Sequence, residues 1–350
     1  METVKTDFVD AILELLEREV KPIADYGLYK GNMGMVLVYH LVQKCYPSTH
    51  IEKNAEILLD SVAEQLTEIR GINYASGRAG IGWAIEWMAQ HQLLEVNTDD
   101  LLQGIDDVIY REVIYAEDKS FTLANGSLGK LVFFLKRYKS VNFQTHRLRN
   151  ICHQECLVFL TDEIKMKLLD GKNPRLKATD LSQEELSDLA MVVITMTKVQ
   201  TACINLNLVD NCIEETMAFI LQLLKERTTC STLAESICLL KLAYTVVYTG
   251  QQQHFSHWRN LGATYVQQLL AQIDEEKATN TERVQLALLY SLLYINTEDV
   301  IYLHKRAAIV EGIMLEELPF ELKNGLGILT IAFLATEHPH AAPWEELLLI

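Results

Sequence analysis

Leu28-Tyr-Lys-Gly-Asn-Met-Gly-Met-Val-Leu-Val-Tyr39 opens on a glycine-marked turn and runs into apolar residues. The pattern returns as Tyr74-Ala-Ser-Gly-Arg-Ala-Gly-Ile-Gly-Trp-Ala-Ile85 and as Leu123-Ala-Asn-Gly-Ser-Leu-Gly-Lys-Leu-Val-Phe-Phe134. The first glycines, Gly31, Gly77 and Gly126, are 46 and 49 residues apart. A fourth copy, Leu322-Lys-Asn-Gly-Leu-Gly-Ile-Leu-Thr-Ile-Ala-Phe333, begins where six such steps from Gly31 would land. A fixed period of this length marks a repeat architecture, and here it implies seven units.

Working outward, glycine-free apolar stretches near 186–199, 232–247 and 282–295 supply the fourth to sixth units. Before each apolar stretch lies an amphipathic one: 7–20, 51–70, 99–115, 146–169, 209–227, 257–273 and 299–318. Apolar residues recur there at i, i+3, i+4 and i+7, with charge opposite. A helix apolar on nearly all sides must be covered, whereas an amphipathic helix can lie between core and water. The expectation is therefore all-α: an α/α toroid of about seven helical hairpins in inner and outer layers, one domain over 1–350. Asp170-Gly-Lys-Asn-Pro-Arg-Leu-Lys-Ala-Thr-Asp180 reads as a surface loop within the fourth hairpin.

The formal charge of −16 repels phosphate backbones, and no basic face offsets it, so nucleic acid is excluded as a partner. The greasiest run, 286–295, is shorter than the ~18–20 residues of a membrane helix, and the start, METVKTDFVDAILELLEREV, is too acidic for a signal peptide. Seven cysteines, an odd number in mostly apolar stretches, read as reduced thiols. These features predict a cytoplasmic protein with no membrane contact.

Each G-x-x-G sits at the start of an inner helix. The first glycine is expected to take φ > 0 at the turn, and the second to remove a side chain where helices converge. Parallel inner helices would gather unpaired N–H groups and dipoles at one end, which favours carboxylates, phosphates or peptide carbonyls. Lys30, Asn32, Asn73, Tyr74, Arg78, Asn125, Lys130, Lys323 and Asn324 add donors near those starts; seven are taken as candidate ligand contacts: Lys30, Asn32, Tyr74, Arg78, Asn125, Lys323 and Asn324. Glu86, between Trp83 and Trp87, is the carboxylate that needs explaining, by a buried partner or by chemistry. Cys152-His153-x-x-Cys156 puts its histidine about 100° from Cys152 on a helix, so the three read as packing residues.

GLYKGNMGMVLVYHL, NYASGRAGIGWAIEWMAQHQLLEVNTDDLLQGID and LANGSLGKLVFFL resemble repeats of the lanthionine synthetase C-like family, the second segment most nearly a Bacteroidetes-type branch. The resemblance implies a seven-hairpin toroid. In the family's active cyclases it further implies a zinc ion, held by two cysteines and a histidine at the fifth and sixth inner-helix starts, which activates a peptide thiol. Another histidine stands at the fourth start. In this chain the fifth start reads Thr229-Cys-Ser-Thr-Leu, leaving Cys230 as a possible first ligand; the sixth reads Ala278-Thr-Asn-Thr-Glu-Arg-Val, and the fourth Asp180-Leu-Ser-Gln-Glu-Glu-Leu. One ligand of three makes no zinc site, so the expectation is no metal, no cofactor and no zinc-dependent cyclisation. The expected role is a degenerate family member that binds a peptide or partner protein and assists peptide modification. The alternative is an enzyme such as a glycan-processing one, with Glu86 and Asp25 or Asp188 as its carboxylates.

Overall fold

The structure is a computed structural model and describes residues 2–116, 119–140, 147–178, 181–227, 230 and 232–348. Among the described residues there is no strand, and fourteen helices of at least twelve residues alternate in two kinds. They are α1 (Glu2–Glu17), α2 (Asn32–Cys45), α3 (Thr49–Gln65), α4 (Arg78–Gln90), α5 (Gln103–Tyr115), α6 (Ser127–Tyr138), α7 (Arg147–Lys165), α8 (Gln183–Thr201), α9 (Leu206–Glu226), α10 (Leu233–Gln252), α11 (Ser256–Leu270), α12 (Asn280–Thr297), α13 (Val300–Glu311) and α14 (Leu326–Glu337).

The even-numbered helices are the apolar ones. In α14 every residue from Leu326 to Ala335 is buried. In α9, by contrast, Val209, Cys212, Ile213, Thr216, Met217, Ile220 and Leu224 form one buried stripe at helical spacing. α10 is long and apolar enough to cross a membrane by length and composition, a length the expectation from shorter runs did not foresee, and 78% of that stretch is buried inside the protein. Boundaries shift modestly. α7 ends in a wider turn over Met166–Asp170, and α13 stops at Glu311, short of the expected 318. Residues 179 and 180 of the expected surface loop, Thr229 and Ser231 of the fifth start, and His146 lie outside the described residues.

Packing divides the chain into two compact units, Met1–Gly71 with Ala75–Glu95 and Glu275–Ile350, and Ile72–Tyr74 with Val96–Asp274. In the first, α14 packs on α2, so the last repeat covers the first; α2 also packs on α3 and α4, and α12 on α13 and α14. In the second, α8 lies between α6 and α10, backed by α9, while α7 packs on α6 and α11 on α10.

A buried ionic cluster ties the second unit together. Arg137, 1% exposed at the end of α6, donates to both carboxylate oxygens of Asp106 at 2.7–3.2 Å, to Asp99 at 3.2 Å and to Thr98 at 3.2 Å. His153 of α7 approaches Asp106 at 3.4 Å. Burial pushes the Asp106 carboxyl upward, but hydrogen bonds from His153 and Arg137 outweigh it and hold the group below its ordinary range. His153 thus faces Asp106, while Cys156 is wholly buried with its thiol pushed up by desolvation.

Candidate functional site at the helix starts

The four glycine-marked helices begin alike. The first amide of each donates to a carbonyl seven residues upstream: Asn32 to Asp25 at 2.9 Å, Arg78 to Gly71 at 2.9 Å, Ser127 to Ser120 at 3.2 Å and Leu326 to Pro319 at 3.0 Å. This closes a tight loop over the helix end. The first glycine stands inside that loop: a Cβ on Gly31 would lie 2.3 Å from the Gly27 nitrogen, and one on Gly126 would lie 2.4 Å from the Ser120 oxygen. Close approach of backbone explains these glycines, and positive φ does not. Gly31, Gly77, Gly126 and Gly325 are extended, with φ of −99°, −110°, −117° and −129°, correcting the left-handed turn expected from sequence. The loops also claim amides that were expected to stand unpaired, including Gly34 to Gly27 and Leu128 to Phe121.

Neighbouring loops are hydrogen-bonded in sequence. In the first unit the amides of Leu322 and Lys323 donate to Tyr29 O at 3.0 and 3.1 Å, and the Tyr29 amide donates to Ala75 O at 2.9 Å. In the second, the Tyr74 amide donates to Ala124 O at 3.0 Å, and the Leu123 amide to the Asp188 carboxylate at 3.1 Å. The starts of α2, α4 and α14 are thus bonded to a neighbouring loop's backbone, and that of α6 to the Asp188 side chain.

The glycine-free starts use another device. Ser182 and Thr279 cap α8 and α12 in reciprocal capping boxes with Glu185 and Glu282, and Thr232 caps α10 by accepting from the Glu235 amide. Sequence reasoning passed over this Ser/Thr-x-x-Glu signal, although all three copies are plain in the chain.

The family described as lanthionine synthetase C-like protein matches residues 22–175. The structure is similar over its whole length to nisin cyclase, with 14% identity, a TM-score of 0.66 and 98% of that chain covered. Residues 22–175 carry the lanthionine synthetase C-like pattern, and the whole chain shares the fold of that solved structure. Its fold is the all-α toroid class expected from the repeat. No curated protein matches it in sequence.

The lanthionine synthetase C-like resemblance raises the question of zinc, and the donor set does not fit it. At the fourth and sixth starts the side chains are a serine and a threonine already bonded to Glu185 and Glu282. At the fifth, Cys230 is half-buried two residues before the cap. Among the described residues no three histidines, cysteines or carboxylates are placed to hold a metal ion.

The candidate contact residues fall into three groups. Lys30 and Asn125, each directly before a first glycine, are exposed. Lys323 lies over the Tyr29 ring at 4.0 Å, and Asn324 accepts from Gln285 at 3.3 Å. Arg78, Asn32 and Tyr74 serve the scaffold. Arg78 donates to Ile69 O at 2.6 Å and Thr67 O at 3.3 Å. Asn32, 3% exposed, closes on both backbone groups of Ile23 at 3.0 Å, and Tyr74 is 1% exposed. Glu86 is fully buried in α4 and accepts from Gln90 at 2.6 Å. Asp25 accepts from the Gly27 amide at 2.8 Å and belongs to the first loop.

A polar contact absent from the sequence reading joins α10 to α8. Lys241 donates to Ser187 at 2.8 Å beside Asp188 and Cys238. Desolvation lowers the Lys241 amine against the opposing pull of Asp188, and burial pushes the Cys238 thiol up to about 11.

Proposed function

We propose that this chain is a zinc-free lanthionine synthetase C-like protein, one domain acting in the cytoplasm, which binds a peptide or partner protein at its glycine-loop helix starts and assists peptide modification. The observation that carries the reading is the contrast between starts. The glycine loops form a hydrogen-bonded backbone series, whereas the positions where the family's cyclases keep zinc hold capping hydroxyls and carboxylates. In the first unit, the starts of α2 and α14 present Lys30, Lys323 and Asn324 from loops closed by backbone hydrogen bonds. Such donors can contact peptide carbonyls and carboxylates without an ordering cost in the loop. The burial of Glu86 and the turn-forming role of Asp25 speak against a paired-carboxylate hydrolase.

The test is binding of a labelled precursor peptide to the purified chain and to a Lys30→Gln/Lys323→Gln variant, together with metal analysis. Weaker binding by the variant, and less than stoichiometric zinc, are expected. Stoichiometric zinc or unchanged affinity would overturn the reading.

A further inference from the structure

The second unit holds a cavity of about 620 Å³ that none of the preceding readings uses. It lies between the loop before α6 (Lys119, Ser120, Phe121), the last turns of α7 (Glu163, Lys167) and the loop leading to α8 (Lys172, Asn173, Arg175), with Glu185 at its edge. Four cations and two carboxylates line it, an excess of two positive charges in a chain whose net charge is −16.

The charges have distinct tasks. Lys167 donates to Ser120 O at 3.1 Å, to Ser127 Oγ at 2.8 Å and to Glu163, which fastens the end of α7 to the start of α6. Arg175 makes a two-pronged pair with Glu185 at 2.7 Å on each arm, and so sets the wall against α8. Lys119 and Lys172 are exposed and have no bond or ion pair among the described residues, so the excess charge resides on them. Both are flexible point charges rather than planar forks, which suits separate carboxylates better than one bidentate anion.

We propose that this cavity binds an acidic segment of a peptide, with Lys119 and Lys172 each meeting a carboxylate and the exposed Asn173 beside its backbone. The proposal rests on the peptide-binding reading above and names the chemistry of a second contact. The size falls in the usual range for ligand pockets of ~300–1,000 Å³, larger than a free phosphate requires. The acidic remainder of the surface would repel such a segment, which confines its binding to this place.

The probes are a labelled peptide of four consecutive glutamates and its glutamine counterpart, titrated against the intact chain at low and high salt. We expect binding of the glutamate peptide only, weakened by salt, and lowered about tenfold by Lys119→Gln with Lys172→Gln, within the range for two exposed charge pairs. Both lysines are exposed, so the variant should keep its unfolding transition. Equal binding of both peptides, or unchanged affinity in the double variant, would overturn the proposal. So would inorganic phosphate that displaces the peptide at equal concentration, because the site would then be a simple anion site. Lys30→Gln/Lys323→Gln separates the two readings: if only that pair weakens precursor binding, the function stands and this cavity has no part in it.

Discussion

The Leu123 amide donates to the Asp188 carboxylate at 3.1 Å, and in the other glycine-marked loops the corresponding acceptor is a neighbouring backbone carbonyl. The fourth repeat has no glycine loop to supply that carbonyl, so a side chain from the first turns of α8 reaches across instead. Asp188 is 6% exposed and also bears on Lys241, which links the third, fourth and fifth repeats. Truncation by Asp188→Ala would leave a buried amide without this acceptor and is expected to cost about 1–3 kcal/mol. Asp188→Asn, which keeps an acceptor oxygen, should cost less. Urea unfolding of both variants checks the order; equal stability would show that the contact is immaterial.

Two glycines of the same chain should respond to alanine with opposite sign. At Gly126 a Cβ would meet the Ser120 oxygen at 2.4 Å and the Thr122 nitrogen at 2.6 Å, both backbone atoms of the loop over α6. Such overpacking is expected to destabilise by about 1–3 kcal/mol. At Gly104, near the start of α5, nothing lies within 4 Å of the added carbon. Gly104→Ala should stabilise by about 0.4–1 kcal/mol, because alanine has less backbone entropy to lose. Calorimetric midpoints moving in the same direction would refute the loop argument.

The repeat was legible because glycines mark loops whose backbone approaches itself, and that requirement is local. It located four starts and the count of seven hairpins, while the φ expected of those glycines was mistaken. The capping boxes at Ser182 and Thr279 are equally local and equally legible, each spelled by a Ser/Thr-x-x-Glu spacing. The Lys167–Ser127–Glu163 group was beyond such reading: it joins residues 36 and 40 positions apart through the packing of α7 on α6, and no spacing announces it. Asn32 and Arg78 show the same limit. Their type and position fit a rim, and only the folded loop shows that Ile23, Ile69 and Thr67 take their hydrogen bonds.

The glycine-free starts yield a prediction of their own. Thr279 accepts from the Glu282 amide while Glu282 accepts from the Thr279 amide at 3.0 Å, so each side chain satisfies a donor the helix leaves open. Thr279→Ala should cost about 0.5–2 kcal/mol and Thr279→Ser much less, the usual range for an N-cap. If circular dichroism melts of the alanine and serine variants coincide, the threonine hydroxyl is not holding α12.

Acid should act on the second unit through Asp106. Its carboxyl titrates below the ordinary 3.8 because His153 and Arg137 hold the charged form despite burial. The unfolded chain therefore binds more protons than the folded one between that lowered value and 3.8. Stability rises with pH across this window. The contribution is fully present above the unfolded value and is lost as pH falls through the folded one. Asp106→Asn removes the titration and the two-pronged pair, leaving the buried Arg137 with the single Asp99 carboxylate at 3.2 Å, so the variant should be less stable near neutrality by up to about 3–5 kcal/mol, the range for broken buried pairs. Its stability curve should also be flatter than that of the parent below pH ~4, where the parent loses the same interaction by protonation. Denaturation series at pH 3, 4 and 7 on both proteins measure the two slopes, and parallel curves would assign the acid sensitivity to other groups.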